Sequence, residues 1–182
     1  MPCARHSKRL GGRVGPAART GIGFWQAVRV PRTATAAQVS RAQLLDFLRP
    51  RHHALLMTRR KDGSPQLSPV TAGVDLQGRV VVATYPQRAK AHNARRDPQL
   101  TLCFVSDDWD GAWVQVDGTA EVLDVPEALE AFVDYYRSIG GEHPDWDQYR
   151  QAMLDQGKSL LRVTIQQWGP VATGGFPPEL DR

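Results

Sequence analysis

The residues best suited to chemistry lie in one short stretch, Arg88-Ala89-Lys90-Ala91-His92-Asn93-Ala94-Arg95-Arg96-Asp97-Pro98. Lys90 and Asn93 are three residues apart, so they share one face of a short helix. Thr84 and Tyr85 stand just ahead of it, Pro86 suits its first turn, and Pro98 ends it. A helix start carries unpaired backbone N–H groups and the positive end of the peptide dipole. Arg88 and Lys90 add charged donors at that end. The combination suits an anion, a phosphate above all, whose oxygens accept from several donors at once. The same residues also describe an ordinary basic helix turned to solvent, and composition alone does not separate the two.

Other groupings carry less. Asp107, Asp108 and Asp110 suggest a cation loop but lack the glycine and distal glutamate of a calcium site. Glu142, His143, Asp145 and Asp147 include metal-ligand types without the helical two-histidine spacing. They read as the start of a helix whose dipole favours acidic residues, and no metal site is expected. No Ser-His-Asp or Cys-His arrangement can be assembled. Tyr85 and His53 are candidates to supply a proton to a product, although a single histidine on an apolar strand is commonly structural. Cys3 and Cys103 show neither metal-ligand spacing nor a disulfide framework, which points to a reduced, cytoplasmic setting. Cys103, within Leu102-Cys103-Phe104-Val105, reads as a small buried hydrophobe.

The chain has 182 residues and a formal charge of +4. Arg5, Lys8, Arg9, Arg13, Arg19, Arg29 and Arg32 fall in the first 32 residues, which contain no Asp or Glu. Taking those seven charges from +4 leaves residues 33–182 at −3. The basic character therefore belongs to an arm, and the arm lacks the interleaved aromatics and reader fold of a nucleic-acid binder. Nor does it have the apolar core and cleavage site of a secretory signal. No run of about 18 apolar residues spans a membrane. Residues 1–38 read as a disordered basic extension and residues 39–182 as one domain.

Within that domain, Ser40 is placed to cap a helix over 41–48 that Pro50 closes. Strands are expected over 53–58, 66–74, 79–84, 100–106, 113–123 and 159–167, the fifth interrupted at Asp117-Gly118. Lys61-Asp62-Gly63-Ser64 and Gln77-Gly78 are turns between the first three. Asp124 is placed to cap a helix from about 126, with Leu129, Phe132, Val133 and Tyr136 on one face and Gly140-Gly141 at its end. A further helix covers 144–156, and the chain then runs into an irregular tail with Gly174, Gly175, Pro177 and Pro178. Short consecutive strands in hairpin order argue for a mainly β protein with α insertions, its antiparallel sheet closed into a small barrel. No glycine-rich dinucleotide fingerprint follows any strand.

From about residue 39 to 168 the sequence resembles the pyridoxamine 5′-phosphate oxidase-like split-barrel proteins, and most closely their actinobacterial branch that uses the deazaflavin coenzyme F420. The resemblance is carried by Asp62-Gly63-Ser64-Pro65-Gln66-Leu67-Ser68, the Arg88–Pro98 stretch and Ser106-Asp107-Asp108 leading to Trp113. Asp117-Gly118-Thr119-Ala120 and the block from Tyr136 through Trp146 to Met153 add to it. It implies a six-stranded antiparallel split barrel of the FMN-binding type, assembled as a homodimer with cofactor sites between subunits. In such proteins an Arg-Ala-Lys-x-x-Asn segment holds the cofactor phosphate, which falls here on Arg88, Lys90 and Asn93. Gln66 and Ser68 match contacts to the ring system, Thr84 a hydroxyl near the ribityl chain, and Trp113 an aromatic bordering the pocket. The acidic tail of the deazaflavin would favour a basic rim, for which Arg51, Arg60, Lys61, Arg95 and Arg96 are candidates.

The activity implied is hydride transfer from reduced F420 to an electron-poor unsaturated small molecule, such as an enone, quinone or polycycle. FMN-dependent oxidase or reductase chemistry on the same fold is the alternative cofactor reading. Non-catalytic storage of a flavin-like group is the alternative outside enzymes.

Overall fold

A computed structural model describes residues 33–108 and 111–177. The basic segment 1–32, residues 178–182, and Trp109 and Asp110 of the acidic loop lie outside the described residues. The elements run β1 (Thr35–Ala37), α1 (Arg41–Leu48), β2 (His53–Arg59), β3 (Pro65–Val74), β4 (Val80–Thr84), α2 (Ala89–Arg96), β5 (Gln99–Val105), β6 (Trp113–Asp124), α3 (Leu129–Gly140), α4 (Trp146–Asp155), β7 (Ser159–Trp168) and β8 (Val171–Thr173).

Side chains alternate between the two sides of each strand. Ala54 and Leu56 of β2, Leu102 and Phe104 of β5, and Val114 and Val116 of β6 are all buried and meet in one core. Their neighbours Leu55, Cys103 and Gln115 point the other way, in register across the same three strands. Six strands, in the order β5-β2-β3-β4-β7-β6, close through the β6–β7 pairing into an antiparallel barrel. The expected six-stranded split barrel is thus present, each strand within a residue or so of its expected limits.

The closing seam runs from Asp124↔Ser159 to Val116↔Trp168, with a shift of register at Asp117/Gly118. The expected interruption at Asp117-Gly118 is therefore a bulge inside one long strand, which lets the strand bend around the barrel. Glycine is required there, because a Cβ on Gly118 would lie 2.4 Å from the Thr164 carbonyl oxygen.

Helices cover the openings and one flank. α1 begins with a capping box between Ser40 and Gln43 and buries Leu44 and Leu48 against the core. α2 buries the small side chains Ala91 and Ala94, which allow its backbone close approach. Phe132 of α3 and Met153 of α4 form a second apolar cluster with Val81 and Leu160. The α3–α4 connection is pinned by four rings, Tyr136, His143, Trp146 and Tyr149, whose centroids lie 5.1–5.8 Å apart. As expected of an acidic helix start, Asp145 caps α4 by accepting from the N–H groups of Asp147 and Gln148.

Four local expectations are corrected. Residues 35–37, within the extension expected to be disordered, form β1, and 171–173, past the strand expected to be the last, form β8. The two pair with each other, and β8 meets β6 at Trp113↔Ala172. Asp124 does not cap α3, which starts at Leu129 behind an uncapped Ala128; the Asp124 carboxylate accepts from Arg95 and Ser159 instead. Pro86 stands before α2, whose N-cap is Arg88. Among the described residues no helix is long and apolar enough to cross a membrane.

Candidate functional site

Strand β4 ends at Thr84, and four residues later the extended backbone of Arg88 opens α2 with no side-chain cap. The N–H groups of Ala89 and Lys90 are thus presented together with two cations, that of Ala91 already donating to the Arg88 carbonyl. Elsewhere the basic side chains are largely tied: Arg79 to Asp75, Arg95 to Asp124, Arg162 to Glu121. Among the described residues, neither Arg88 nor Lys90 meets a carboxylate. The Lys90 ammonium is held below its ordinary value, first by desolvation and then by the Arg88 charge beside it. Two like charges kept together without a counter-ion are stabilised by any anion that joins them.

Thr84 adds an independent sign. It is only 6% exposed, and its Oγ1 is buried without a hydrogen-bond partner. An orphaned buried hydroxyl costs roughly 1–3 kcal/mol, which a ligand oxygen would recover.

Asn93, Gln66 and Ser68 are brought together by a residue that the sequence did not single out. The Asn93 amide donates to Thr58 Oγ1 at 3.0 Å, and Thr58 donates to Gln66 Oε1 at 3.1 Å. Gln66 Nε2 then donates to Ser68 Oγ at 2.7 Å. At the other end Arg96 donates to Asn93 Oδ1 at 3.1 Å. The chain of bonds couples α2 to the β2–β3 hairpin and fixes how Gln66 is turned. Asn93 is buried with its oxygen already bonded, so in this arrangement it orients the helix and the hairpin. Thr58 left no distinct signal in the sequence; once folded it occupies the inward parity of Ala54 and Leu56, where a polar side chain must find a partner.

Trp113 stands apart from this group. Pairing with Val105 and Ala172, it lies on the outer side of the sheet, 40% exposed. Its row includes the residues around an apolar hollow of about 340 Å³ walled by Leu55, Pro69, Val70 and Val105, with His53 and Thr71 at its edge. His53 Nδ1 lies 2.9 Å from an Asp107 carboxylate oxygen. Tyr85, the other expected proton source, is held by Gln156 at 3.4 Å and lies under the Lys158 ammonium. Among the described residues no three His, Cys, Asp or Glu side chains are grouped as metal ligands.

The family model for pyridoxamine 5′-phosphate oxidase matches residues 40–172. The chain belongs to this family. Solved structures share the fold at low identity. A conserved hypothetical protein from Mycobacterium tuberculosis superposes with a TM-score of 0.63 at 24% identity, covering 78% of this chain and 89% of that one. A heme-binding protein from Mycobacterium smegmatis gives 0.56 at 20% identity over 77% and 56% of the two chains. A protein described as an F420 reductase gives 0.51 at 18% identity over 68% and 94%.

The pyridoxamine 5′-phosphate oxidase family is one of oxidoreductases that bind flavin-like cofactors. Arg88, Lys90, the open start of α2 and the orphaned Thr84 hydroxyl fit the phosphate and polyol end of such a group. The expected basic rim fits less well. Arg95 is bound to Asp124, Arg96 to the Arg59 carbonyl and Asn93, and Arg51 stacks on Phe47. Arg60 reaches Ser64 at 3.5 Å, which leaves Lys61 of that set without a partner among the described residues.

Proposed function

We propose that this protein is an F420-dependent reductase acting on an electron-poor unsaturated small molecule, an enone, quinone or polycycle. The observation that carries the reading is the pair of uncompensated cations, Arg88 and Lys90, at the uncapped start of α2 beside the orphaned Thr84 hydroxyl. The deazaflavin is preferred over FMN on the residues of the β2–β3 hairpin and of the α3–α4 region that resemble the F420-using branch. A fold shared with a protein described as an F420 reductase is consistent with that preference.

When bound, the reduced cofactor supplies the hydride. The chain's residues bind and orient. Arg88 and Lys90 would neutralise the phosphate and Thr84 would donate to a neighbouring oxygen, while Gln66, whose Nε2 donates to Ser68 and to the Leu67 carbonyl, would offer its amide oxygen to an N–H of the ring system. Asn93 is a positioning residue that keeps α2 in register with the hairpin.

The protein acts as a homodimer in this reading. The outer face of β3-β2-β5-β6 exposes Leu67, Leu55 and Trp113 at 63%, 39% and 40%, an apolar surface suited to burial against a second copy. Trp113 would then border a site shared between subunits.

Fluorescence titration with F420 and, separately, FMN tests the assignment. Tight F420 and weak FMN binding is expected, and Lys90→Ala should weaken F420 by about 1–3 kcal/mol, the range for losing a charged hydrogen bond. Preference for FMN would move the protein to the other cofactor. Unchanged affinity for both in the variant would remove the phosphate site.

A further inference from the structure

At one end of the barrel a row of polar side chains crosses three strands. Thr84 of β4 stands opposite Ser159 of β7 in the ladder, and Ser159 stands opposite Asp124 of β6. Side chains so paired lie on one side of a sheet, here the inward side of Val82, Leu161 and Val122. Arg95, in the last turn of α2, ties into this row. Its Nη2 donates to both Asp124 carboxylate oxygens, at 2.6 and 2.8 Å, and its Nη1 donates to the Pro86 carbonyl at 3.3 Å. The fully buried Ser159 donates its hydroxyl to the same carboxylate.

The bond to Pro86 falls at a telling place. Residues 85–87 join the orphaned Thr84 hydroxyl to Arg88 and Lys90, the two halves of the candidate anion site. Arg95 grips that connection at its middle, while Asp124 and Ser159 fix Arg95 to the strand that pairs with Thr84. Tyr85 adds a looser hold, reaching Gln156 at 3.4 Å. As an ion pair alone, Arg95–Asp124 adds little to stability, its side chains being 34% and 50% exposed.

We propose that Arg95 is a positioning residue for the anion site. Through Asp124 and the Pro86 carbonyl it holds the β4–α2 connection, and so sets the Thr84 hydroxyl relative to the donors of Arg88 and Lys90. This deepens the reductase reading and rests on it for the identity of the anion. If Arg95 instead attracted the anion by its own charge, Asp124 would oppose binding, and removing that carboxylate would strengthen it. A positioning role gives the opposite sign, because Arg95 then loses its anchor.

Inorganic phosphate is the probe, titrated at constant ionic strength into the full chain and followed through the backbone amide NMR signals of Ala89 and Lys90. The unaltered protein should show saturable shifts. Arg95→Ala should weaken phosphate about tenfold, as if one charged hydrogen bond were lost to misplacement. Asp124→Ala should weaken it by a similar factor, and the two substitutions together by no more than either alone. Asp124→Asn, isosteric and milder, should act in the same direction and serves where the alanine variant does not fold. Glu121→Gln is the control. It releases Arg162 across the same β6–β7 seam and removes the same charge without touching the connection, so phosphate affinity should not fall. Absence of shifts, tighter phosphate in either Asp124 variant, or additive effects of Arg95 and Asp124 would overturn the proposal. The two readings fail separately. Phosphate binding that needs Arg95 and Asp124, without F420 binding in a fluorescence titration, keeps the positioning role and removes the reductase. F420 binding unaffected by either substitution does the reverse.

Discussion

Thr58→Val is the sharpest probe of the polar chain that joins helix to hairpin. Valine matches threonine in shape, so the substitution removes one hydroxyl and leaves packing intact. Thr58 is fully buried and Asn93 is 6% exposed, so water does not replace what is lost. The Asn93 amide loses its acceptor at 3.0 Å, and Gln66 Oε1 loses its donor at 3.1 Å. Leaving one buried donor unsatisfied costs roughly 1–3 kcal/mol, and the added methyl group returns up to about 0.8 kcal/mol. The half-exposed Gln66 can turn to solvent. The net loss should be about 1–2 kcal/mol, or roughly 2–8 °C in Tm for a domain of this size. Urea unfolding followed by fluorescence and by circular dichroism measures it. Adding Asn93→Ala removes the stranded amide, so Thr58→Val should then cost about 1 kcal/mol less than it does alone. A single-variant cost under about 0.5 kcal/mol, or strictly additive costs, would refute the coupling.

Two further outcomes follow from the barrel seam. Gly118→Ala places a methyl against the Thr164 backbone, which cannot rotate away, so it should destabilise by about 1–3 kcal/mol or more in denaturant titration; a neutral result would mean the bulge is not held as described. Asp124 tests the acid limb. The Ser159 hydroxyl foremost, and then Arg95, hold its carboxyl below the ordinary value. A depressed carboxyl contributes stability that is present above its unfolded value of about 3.9 and lost as pH falls through the lower folded one. Asp124→Asn should therefore lower stability at neutral pH and flatten its decline below about pH 4, and an acid limb as steep as before would reject the assignment.

Much of this was legible in the sequence because apolar strand runs and turn chemistry are local. The apolar runs of β2 and β5 and the glycines of the hairpin turns could be read directly, but not which side of those strands turns inward, because Leu55 and Cys103 are apolar like their buried neighbours Leu56 and Leu102. β1 and β8 could not be read either. Each has three residues, and their stability comes from pairing across 138 positions, as between Thr35 and Thr173. Asp124 shows a different limit: it has the residue type and position of a helix cap, but Ser159 and Arg95, distant in sequence, compete for its oxygens. The candidate anion site was suggested by Arg88 and Lys90 in the sequence, whereas the lack of a carboxylate beside those two cations among the described residues and the capture of Arg95 are facts of tertiary structure. Thr58 was not singled out in the sequence, and only folding turned it inward beside Asn93 and Gln66.

The β1–β8 pairing also brings the two ends of the described chain side by side. Ala34 N–H donates to the Phe176 carbonyl at 2.8 Å, and Thr33 bridges to Phe176. Topologically the described part of the chain is almost a ring. A circular permutant that joined these ends with a short linker and opened the chain at the exposed Asp62-Gly63 turn would keep every strand pairing while changing the order of synthesis. In that permutant β2 and β3 would come from opposite ends of the chain, so the Thr58–Gln66 bond would become a contact between termini.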